Sequence, residues 1–270
     1  MLHTYACPMR WSDMDQLGHV NNVTYLEYVA EARHRALVGG VGVRAPEAPI
    51  TRHRVEFVRP LVYRHEPVLV DTWVAGDRAG VLALQHEVHD VTADGERVVH
   101  LRVTSDLGPG QDDASLARLE DPRPAHEWRP TVPAGDPRPG DEFALATRLS
   151  DLDGQGRASD VRLVEYFQES RIQYFAQLHE PGQEWPHHVV ARTDLDLLGP
   201  VPHRVEPYLV RSWVAHLGER SFTVASELSD GERALARASV VMVTFDRQTQ
   251  RTRAMPASQH ERLAHELLRH

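Results

Sequence analysis

The chain has 270 residues, of which 41% are hydrophobic and one is cysteine, and its formal net charge is −9 at pH 7. This length suits one large domain or two of ordinary size. So acidic a chain argues against the basic surface that nucleic-acid binding needs. A single cysteine excludes an internal disulfide and is usual in a reducing compartment. With no apolar run of about 18 residues and no apolar signal-peptide core, we expect a soluble, cytoplasmic protein that binds neither nucleic acid nor membranes.

The first part of the chain predicts a strand, a helix and four further strands. An extended segment at 3–11 leads into a polar motif, RWSDMDQLGHVNN, at 10–22. Apolar residues at helical spacing follow, and Gly39-Gly40 would stop this helix. Four alternating, β-branched runs come next, at 49–58, 67–76, 81–91 and 97–107. The simplest packing is one antiparallel sheet curled around one long helix.

The second part of the chain repeats this order. Residues 10–33 match residues 148–171 at ten of 24 positions, with a constant offset of 138. EPVLVDTWVA at 66–75 matches EPYLVRSWVA at 206–215 at seven of ten positions, with an offset of 140. Two blocks that keep one order and nearly one spacing predict a tandem duplication.

The duplication divides the chain into four segments. We place the first repeat at 1–108 and the second at 138–250. Between them, 109–137 is rich in Pro, Gly and Asp, which is typical of a linker, with one short helix predicted over 113–120. The last segment, 251–270, ends in LAHELLRH, whose spacing predicts a C-terminal helix.

The motif D-x-D-x-x-G-H-V-N-N-x-x-Y at 13–25, followed by a helix and four strands, resembles the hotdog-fold thioesterases. It is similar to the 4-hydroxybenzoyl-CoA type, to bacterial acyl-CoA thioesterases and to acyl-ACP thioesterases, which also hold two hotdogs in one polypeptide. The acyl-ACP members usually carry an Asn two residues after the motif Asp, where this chain has Leu17. This departure favours a CoA thioester as the substrate.

The resemblance implies an α+β fold, a double hotdog. In it, each tandem repeat is a long helix wrapped by a curled antiparallel sheet of five to six strands. Hotdog thioesterases form their active sites between two subunits, so the duplication would supply an intrachain pseudo-dimer, which could pair further as a homodimer. The implied activity is hydrolysis of acyl-CoA thioesters to free acid and CoA, as in fatty acid metabolism. Because CoA is part of the substrate, we expect no cofactor.

Thioester hydrolysis needs a carboxylate that activates water or attacks the carbonyl carbon, and a dipole that polarises the carbonyl oxygen. Asp15 lies just before the predicted helix, and Gly18 permits a tight loop between them. The first N–H groups of a helix lack intrahelical partners and can bind developing negative charge. The resemblance assigns the carboxylate to Asp15 and the oxyanion donor to the backbone N–H of Asn22.

Three neighbours complete this candidate site. His19 would orient the carboxylate or the water, Asn21 would hold the loop or the water, and Tyr25 would line the acyl slot. The alternative is a structural role, with Asp15 as a helix-entry residue and the two asparagines as helix caps. We expect structural roles for Asp13, Asp151, Glu31, Glu169, Trp73, Trp213 and Cys7.

The second repeat keeps the equivalent carboxylate, Asp153, but changes the polar residues around it. Arg157, Ser159 and Asp160 replace His19, Asn21 and Asn22. A carboxylate at Asp160 would stabilise the helix N-terminus, and it would also repel an oxyanion forming there. We therefore expect one competent site, built on Asp15, with the second repeat as its opposite wall.

The phosphates of CoA require cations, and arginine pairs well with phosphate. Arginines lie near the first strand after each predicted helix, and we assign Arg52 and Arg59 to substrate binding. The other candidates are Arg54, Arg64, Arg192 and Arg204. The 17 histidines form no H-E-x-x-H motif or Cys/His cluster, so we expect no metal. A serine hydrolase is disfavoured because G-x-S-x-G is absent.

Two other functions fit the same motif. A hotdog enoyl-CoA hydratase or dehydratase would use an Asp–His pair on a related thioester. A non-catalytic acyl-CoA-binding protein would bind the same ligand and release no thiol. Thiol release from acyl-CoA distinguishes the hydrolase from both.

Overall fold

The computed structural model describes residues 2–38, 49–75, 82–109, 116–129, 142–178, 187–246, 248–249 and 251–268. The chain divides into two compact units, Met1–Arg129 and Pro130–His270. Gly39-Gly40 and the first residues of the predicted 113–120 helix lie outside the described residues. Within the described ranges, no helix combines the length and the apolar character needed to cross a membrane.

The first unit is an antiparallel sheet packed against one long helix. A 3-10 turn, Trp11–Asp13, precedes helix α1, Asn22–Val38. The strands are β1 (His3–Cys7), β2 (Ile50–Phe57), β3 (Val68–Val74), β4 (Ala83–Val91) and β5 (Arg97–Leu107). Their order across the sheet is β1-β3-β4-β5-β2, with every neighbouring pair antiparallel. The element order predicted from the sequence is confirmed.

Alternating burial explains how the helix is seated on this sheet. Successive side chains of a strand point to opposite faces, and Val68 and Val70 of β3 are fully buried. In α1 the buried residues Leu26, Val29 and Ala32 recur every three residues, which forms one helical stripe. Fully burying a Val or Leu side chain contributes about 1.5–3 kcal/mol. This packing fixes where the N-terminus of α1 lies.

The second unit has the same element order and adds a terminal helix. A 3-10 turn, Leu149–Asp151, precedes helix α2, Asp160–Leu178. The main strands are β6 (Glu142–Leu145), β7 (His188–Leu197), β8 (Tyr208–Leu217), β9 (Ser221–Ser229) and β10 (Ala234–Asp246), in the order β7-β10-β9-β8-β6. The short β11, Arg251–Thr252, pairs with β10. Helix α3, Ala257–Leu268, lies where the C-terminal helix was predicted and buries Leu263 completely.

Residues 116–129, the outer segment, pack against the first unit. The N–H of Val74 donates to the carbonyl of Leu119 over 2.9 Å, and Trp128 Nε1 donates to Thr104 Oγ1 over 2.9 Å. Leu116 and Leu119 join a buried cluster with Leu37, Val74, Leu84 and Leu107. Only residues 116–117 of the predicted short helix are helical in the described part. This stretch of the predicted linker therefore belongs to the first unit.

Candidate active site

Residues 13–22 of the first unit form a tight loop, the motif loop, which leads into α1. The N–H of Asp15 donates to the carbonyl of His19 over 2.7 Å, and the N–H of Gly18 donates to the carbonyl of Asp15 over 3.1 Å. Gly18 has a φ of 75°, a left-handed conformation that glycine adopts without steric cost. The loop therefore explains why glycine stands at this position.

Asp13 joins the loop to the elements on either side. Its Oδ2 accepts the N–H of Arg10 over 2.7 Å and the hydroxyl of Tyr28 on α1. Its carbonyl accepts the N–H of Asn21 over 2.8 Å. In the second unit, Asp151 accepts the N–H of Arg148 and the hydroxyl of Tyr166, both over 2.7 Å. The structural roles predicted for Asp13 and Asp151 are confirmed.

The other residues expected to be structural also have identifiable places. Glu31 pairs with Arg35 over 2.6 Å one turn further along α1, and Glu169 is exposed on α2. Both matched tryptophans and the single cysteine are buried: Trp73, Trp213 and Cys7.

The Asp15 carboxylate presents two different oxygens. Oδ1 accepts the N–H of Leu17 over 2.8 Å and the N–H of His19 over 3.2 Å. It is thus the main chain of His19, and not its imidazole, that contacts the carboxylate. Within the described ranges, no residue hydrogen-bonds to Oδ2. One oxygen therefore holds the loop, and the other can accept a proton from a bound molecule.

The N-terminus of α1 lies at the end of this loop. Asn21 Oδ1 accepts the N–H of Val23 over 2.9 Å, so its side chain caps the helix. This cap is the structural alternative considered for Asn21. The backbone N–H of Asn22 has no acceptor among the residues the structure describes. That donor can bind negative charge at the positive end of the helix dipole.

A crossover segment, residues 58–67 between β2 and β3, runs past the motif loop. The carbonyl of Leu61 accepts the N–H of Val20 over 2.8 Å, and the N–H of Leu61 donates to the Tyr25 hydroxyl over 2.9 Å. The Tyr25 ring packs edge-on against Phe57 with centroids 5.7 Å apart. The part of Leu61 in this site was not predicted; the matched pair Pro60 and Pro200 marks the segment without indicating its contacts.

The pKa of the Tyr25 phenol responds to burial and to its neighbours. Burial raises this pKa most, the hydrogen bond from Leu61 lowers it, and the negative charge of Asp15 raises it further. The motif loop, the start of α1 and Leu61 are joined by hydrogen bonds in the first unit.

The second unit has the same loop, but both oxygens of its carboxylate, Asp153, accept hydrogen bonds. Asp153 Oδ1 accepts the N–H of Gln155 over 2.8 Å and that of Arg157 over 3.1 Å. The Arg157 guanidinium donates to Oδ2 over 3.2 Å. Burial raises the pKa of Asp153, but the two N–H bonds and the guanidinium outweigh burial and lower it. Both oxygens of Asp153 therefore have donors within the unit.

In the second unit, residues 200–203 make more contacts with the loop around Asp153 than the crossover segment makes with the motif loop of the first unit. Pro202 forms a β-bridge with Arg157, and the N–H of His203 donates to the carbonyl of Gly156 over 3.4 Å. The ring of His203 is hydrogen-bonded to Thr147 over 3.0 Å. In the described part of the first unit, Tyr63 and Met9 take the places of His203 and Thr147, and these contacts have no counterpart.

The helix end of the second unit differs as well. Ser159 Oγ accepts the N–H of Arg162 over 3.3 Å and caps α2, and Asp160 is the first residue of that helix. Leu163 stands at the position of Tyr25. The residues that hold the loop are thus shared by both units, whereas those that surround the carboxylate differ.

Most of the arginines considered for CoA are engaged within their own unit. Arg54 pairs with Asp106 over 3.6 Å, and Arg64 pairs with Asp90. Arg52 and Arg59 are exposed, Arg52 on β2 and Arg59 just after it. In the second unit, Arg192 pairs with Asp194, and Arg204 donates to the carbonyls of Pro207 and Asp230. The described ranges contain no group of three or more His, Cys, Asp or Glu side chains placed to hold a metal.

A family model, that of the thioesterase-like superfamily, matches residues 9–109 and 139–263. Because these segments make up most of the chain, the protein belongs to the thioesterase-like superfamily. Each of the two matched segments corresponds to one repeat. The comparison with curated proteins finds no match.

Solved structures of similar fold include an acyl-ACP thioesterase from Bacteroides thetaiotaomicron. It is 14% identical, with a TM-score of 0.63 over 89% of this chain and 97% of its own. The 12:0-ACP thioesterase from Umbellularia californica is also 14% identical, with a TM-score of 0.63 over 90% of this chain and 97% of its own. At such identities the likeness establishes the fold alone. Each of the two structures aligns with most of this chain.

Proposed function

We propose that the protein is an acyl-CoA thioesterase whose active site is built on Asp15 and the N-terminus of α1. One observation carries this proposal. Asp15 holds its loop through Oδ1 alone, and that loop leads into a helix end where the N–H of Asn22 has no described acceptor. A base and an oxyanion donor are the two groups that thioester hydrolysis needs.

In the proposed reaction, Asp15 Oδ2 takes a proton from water while the water oxygen attacks the thioester carbon. The carbonyl oxygen becomes negative and is stabilised by the N–H of Asn22 and the helix dipole. Collapse of the tetrahedral intermediate breaks the C–S bond, and the CoA thiolate takes the proton from Asp15. Losing one oxyanion donor typically costs about 3 kcal/mol of transition-state stabilisation. Direct attack by Asp15 is the alternative and would use the same two groups.

CoA is the favoured carrier of the acyl group because Leu17 replaces the Asn that acyl-ACP thioesterases usually carry. The exposed Arg52 and Arg59 are the cations we assign to its phosphates. An acyl-carrier-protein thioester is the second candidate, supported by the fold shared with acyl-ACP thioesterases. Comparing hydrolysis of one acyl group on the two carriers decides between them.

We propose a single competent site, in the first unit. Asp153 has donors on both oxygens, so it is a poorer base than a carboxylate with an unoccupied oxygen. Asp160 also places a negative charge at the end of α2, where an oxyanion would have to form.

The test compares Asp15→Asn with its matched control Asp153→Asn in thiol release from a panel of acyl-CoAs. We expect Asp15→Asn to lose about 10²–10⁴-fold in kcat and Asp153→Asn to keep nearly full activity. The opposite result would move the site to the second unit. Hydration of crotonyl-CoA without thiol release would indicate a hydratase. Thermal stabilisation by acyl-CoA without turnover would indicate a binding protein.

A further inference from the structure

The proposed reaction leaves one buried hydroxyl at the site unused, that of Tyr25. Its oxygen accepts the N–H of Leu61 over 2.9 Å, and its side chain is almost fully buried, with 3% exposed. A phenol carries one O–H hydrogen in addition to its acceptor capacity. Among the described residues no group accepts that hydrogen. A buried donor of this kind costs free energy unless it finds a partner.

Hydrogen bonds through Leu61 connect this hydroxyl to the motif loop. Tyr25 lies in the first turn of α1, and the residue that donates to it, Leu61, accepts the N–H of Val20 at the end of that loop. Burial raises the pKa of the phenol most, the hydrogen bond from Leu61 lowers it, and the negative charge of Asp15 raises it further. The site's base and its buried donor thus belong to one polar environment.

The second unit shows that the fold does not require this hydroxyl. There the crossover carbonyl of Val201 still accepts the N–H of Ala158, over 2.8 Å, which is the counterpart of the bond between Leu61 and Val20. Leu163 takes the place of Tyr25 and offers no hydroxyl. The phenol is therefore found only where the carboxylate has an unoccupied oxygen.

We infer that the Tyr25 hydroxyl donates a hydrogen bond to the water that Asp15 activates, so that Tyr25 is a catalytic residue. This inference rests on the proposed function. The water would donate one hydrogen to Asp15 Oδ2 and accept the Tyr25 hydrogen on one lone pair, which leaves its other lone pair to attack the thioester carbon. The Tyr25 proton stays on Tyr25 throughout, while Asp15 takes the water proton and passes it to the leaving thiolate.

Tyr25→Phe tests this role because it removes the hydroxyl and keeps the ring that packs against Phe57. We expect kcat for acyl-CoA hydrolysis to fall about 10- to 100-fold with little change in KM, as when an interaction made in the transition state is lost. The matched control is Tyr166→Phe, which removes a buried hydroxyl bonded to Asp151 in the second unit. It should keep kcat although it lowers thermal stability.

A second measurement separates positioning of water from a general loss of structure. With hydroxylamine added, the enzyme forms hydroxamate and free acid, and their ratio does not depend on the fraction of folded enzyme. Tyr25→Phe should raise the ratio of hydroxamate to acid, after subtraction of the uncatalysed reaction, because water depends on the hydroxyl more than this stronger nucleophile does.

An unchanged ratio together with an unchanged kcat would overturn the role of Tyr25. So would a rise in KM at constant kcat, because that pattern indicates lost substrate binding. These outcomes leave the proposed function standing if Asp15→Asn remains inactive. The proposed function itself fails if the wild-type protein releases no thiol or if Asp15→Asn is fully active.

Discussion

The Arg157 guanidinium donates a hydrogen bond to Oδ2 of Asp153 over 3.2 Å. Arg157 occupies the position that His19 holds in the first repeat. The two motif loops share the same backbone hydrogen bonds and the same left-handed glycine, with φ of 75° at Gly18 and 73° at Gly156. A single side chain therefore distinguishes a carboxylate with donors on both oxygens from one whose Oδ2 has no donor among the described residues.

His19→Arg should transfer this ion pair to the first loop. The new guanidinium should reach Asp15 Oδ2, because the loop that carries it has the backbone conformation of the second one. We expect kcat/KM for acyl-CoA to fall about 100-fold, which is the lower range for losing a general base. The control is Arg157→His, which should change activity little. Full activity in His19→Arg, with Asp15→Asn inactive, would show that Oδ2 is not the oxygen that acts.

Asn21→Ala should destabilise the start of α1. The substitution removes the acceptor for the N–H of Val23, and loss of such a cap typically costs about 1 kcal/mol. Urea unfolding measures this loss. Asn21→Ser is the matched control, since serine caps α2 at the equivalent position, Ser159, and should retain most of the stability. Equal destabilisation by both variants would mean that the asparagine does more than cap the helix.

Asp71→Ala should be the most destabilising of these changes. Asp71 is buried, and although burial raises its pKa, its hydrogen bonds hold that pKa far below the usual range. Removing one member of a buried charge network typically costs about 3–5 kcal/mol. Its carboxylate accepts a hydrogen bond from the Thr4 hydroxyl. It also pairs with His89, Arg97 and Arg123.

The control for Asp71→Ala is Glu142→Ala in the second unit. Glu142 pairs with Arg211 over 2.5 Å in an exposed setting, and Arg211 stands at the repeat position of Asp71. Exposed pairs contribute about 0–1 kcal/mol, so urea unfolding should show a small effect. A loss as large as that of Asp71→Ala would contradict this ranking.

His188 should make the protein less stable in mild acid. Burial lowers the pKa of its imidazole to about 4; Gln259, 2.8 Å away, opposes the shift, and the charges of His187 and Arg253 add to it. An unfolded histidine has a pKa of about 6.5. Below that pH the unfolded chain binds a proton that the folded chain does not, so stability is full above about pH 7 and falls between about 6.5 and 4.

Between pH 7.5 and pH 5, this difference in proton binding should lower the free energy of unfolding by about 2 kcal/mol. His188→Gln removes the titrating group and should lower the pH dependence of urea unfolding by that amount, even if it reduces stability at pH 7.5. The His187→Gln variant serves as the control, because His187 is the neighbouring residue and is exposed. An unchanged pH dependence in His188→Gln would indicate that this imidazole is already charged in the folded protein.

Local patterns were sufficient to predict helices α1 to α3 and strands β1 to β10. The alternation of β-branched residues located β2 to β5, and the duplicated blocks located their counterparts in the second unit. The loop around Asp15 and the helix start at Asn22 also followed from local rules, because turns and caps depend on neighbouring residues.

Contacts between distant parts of the chain could not be predicted in this way. The carbonyl and N–H of Leu61 take part in the site through the main chain, and main-chain groups leave no mark on residue type. Nothing in the composition of residues 116–129 indicates that Trp128 reaches Thr104. The sequence pattern suggested that His19 orients the carboxylate or the water, but it did not indicate the bond from the His19 N–H to Asp15, because an Asx turn and a side-chain pair require similar spacing.

The outer segment determines where the polypeptide can be dissected. Arg123 lies over the Trp73 ring, 4.7 Å from its centroid, and the ring of His126 meets it edge-on at 5.2 Å. A gene fragment ending at residue 108 would lack Arg123 and His126, so the Trp73 indole would lose both contacts. It would also lack Leu116 and Leu119 of the buried apolar cluster. Newly wetted tryptophan and leucine surface promotes aggregation. An expression fragment of the first repeat should therefore stop after Arg129.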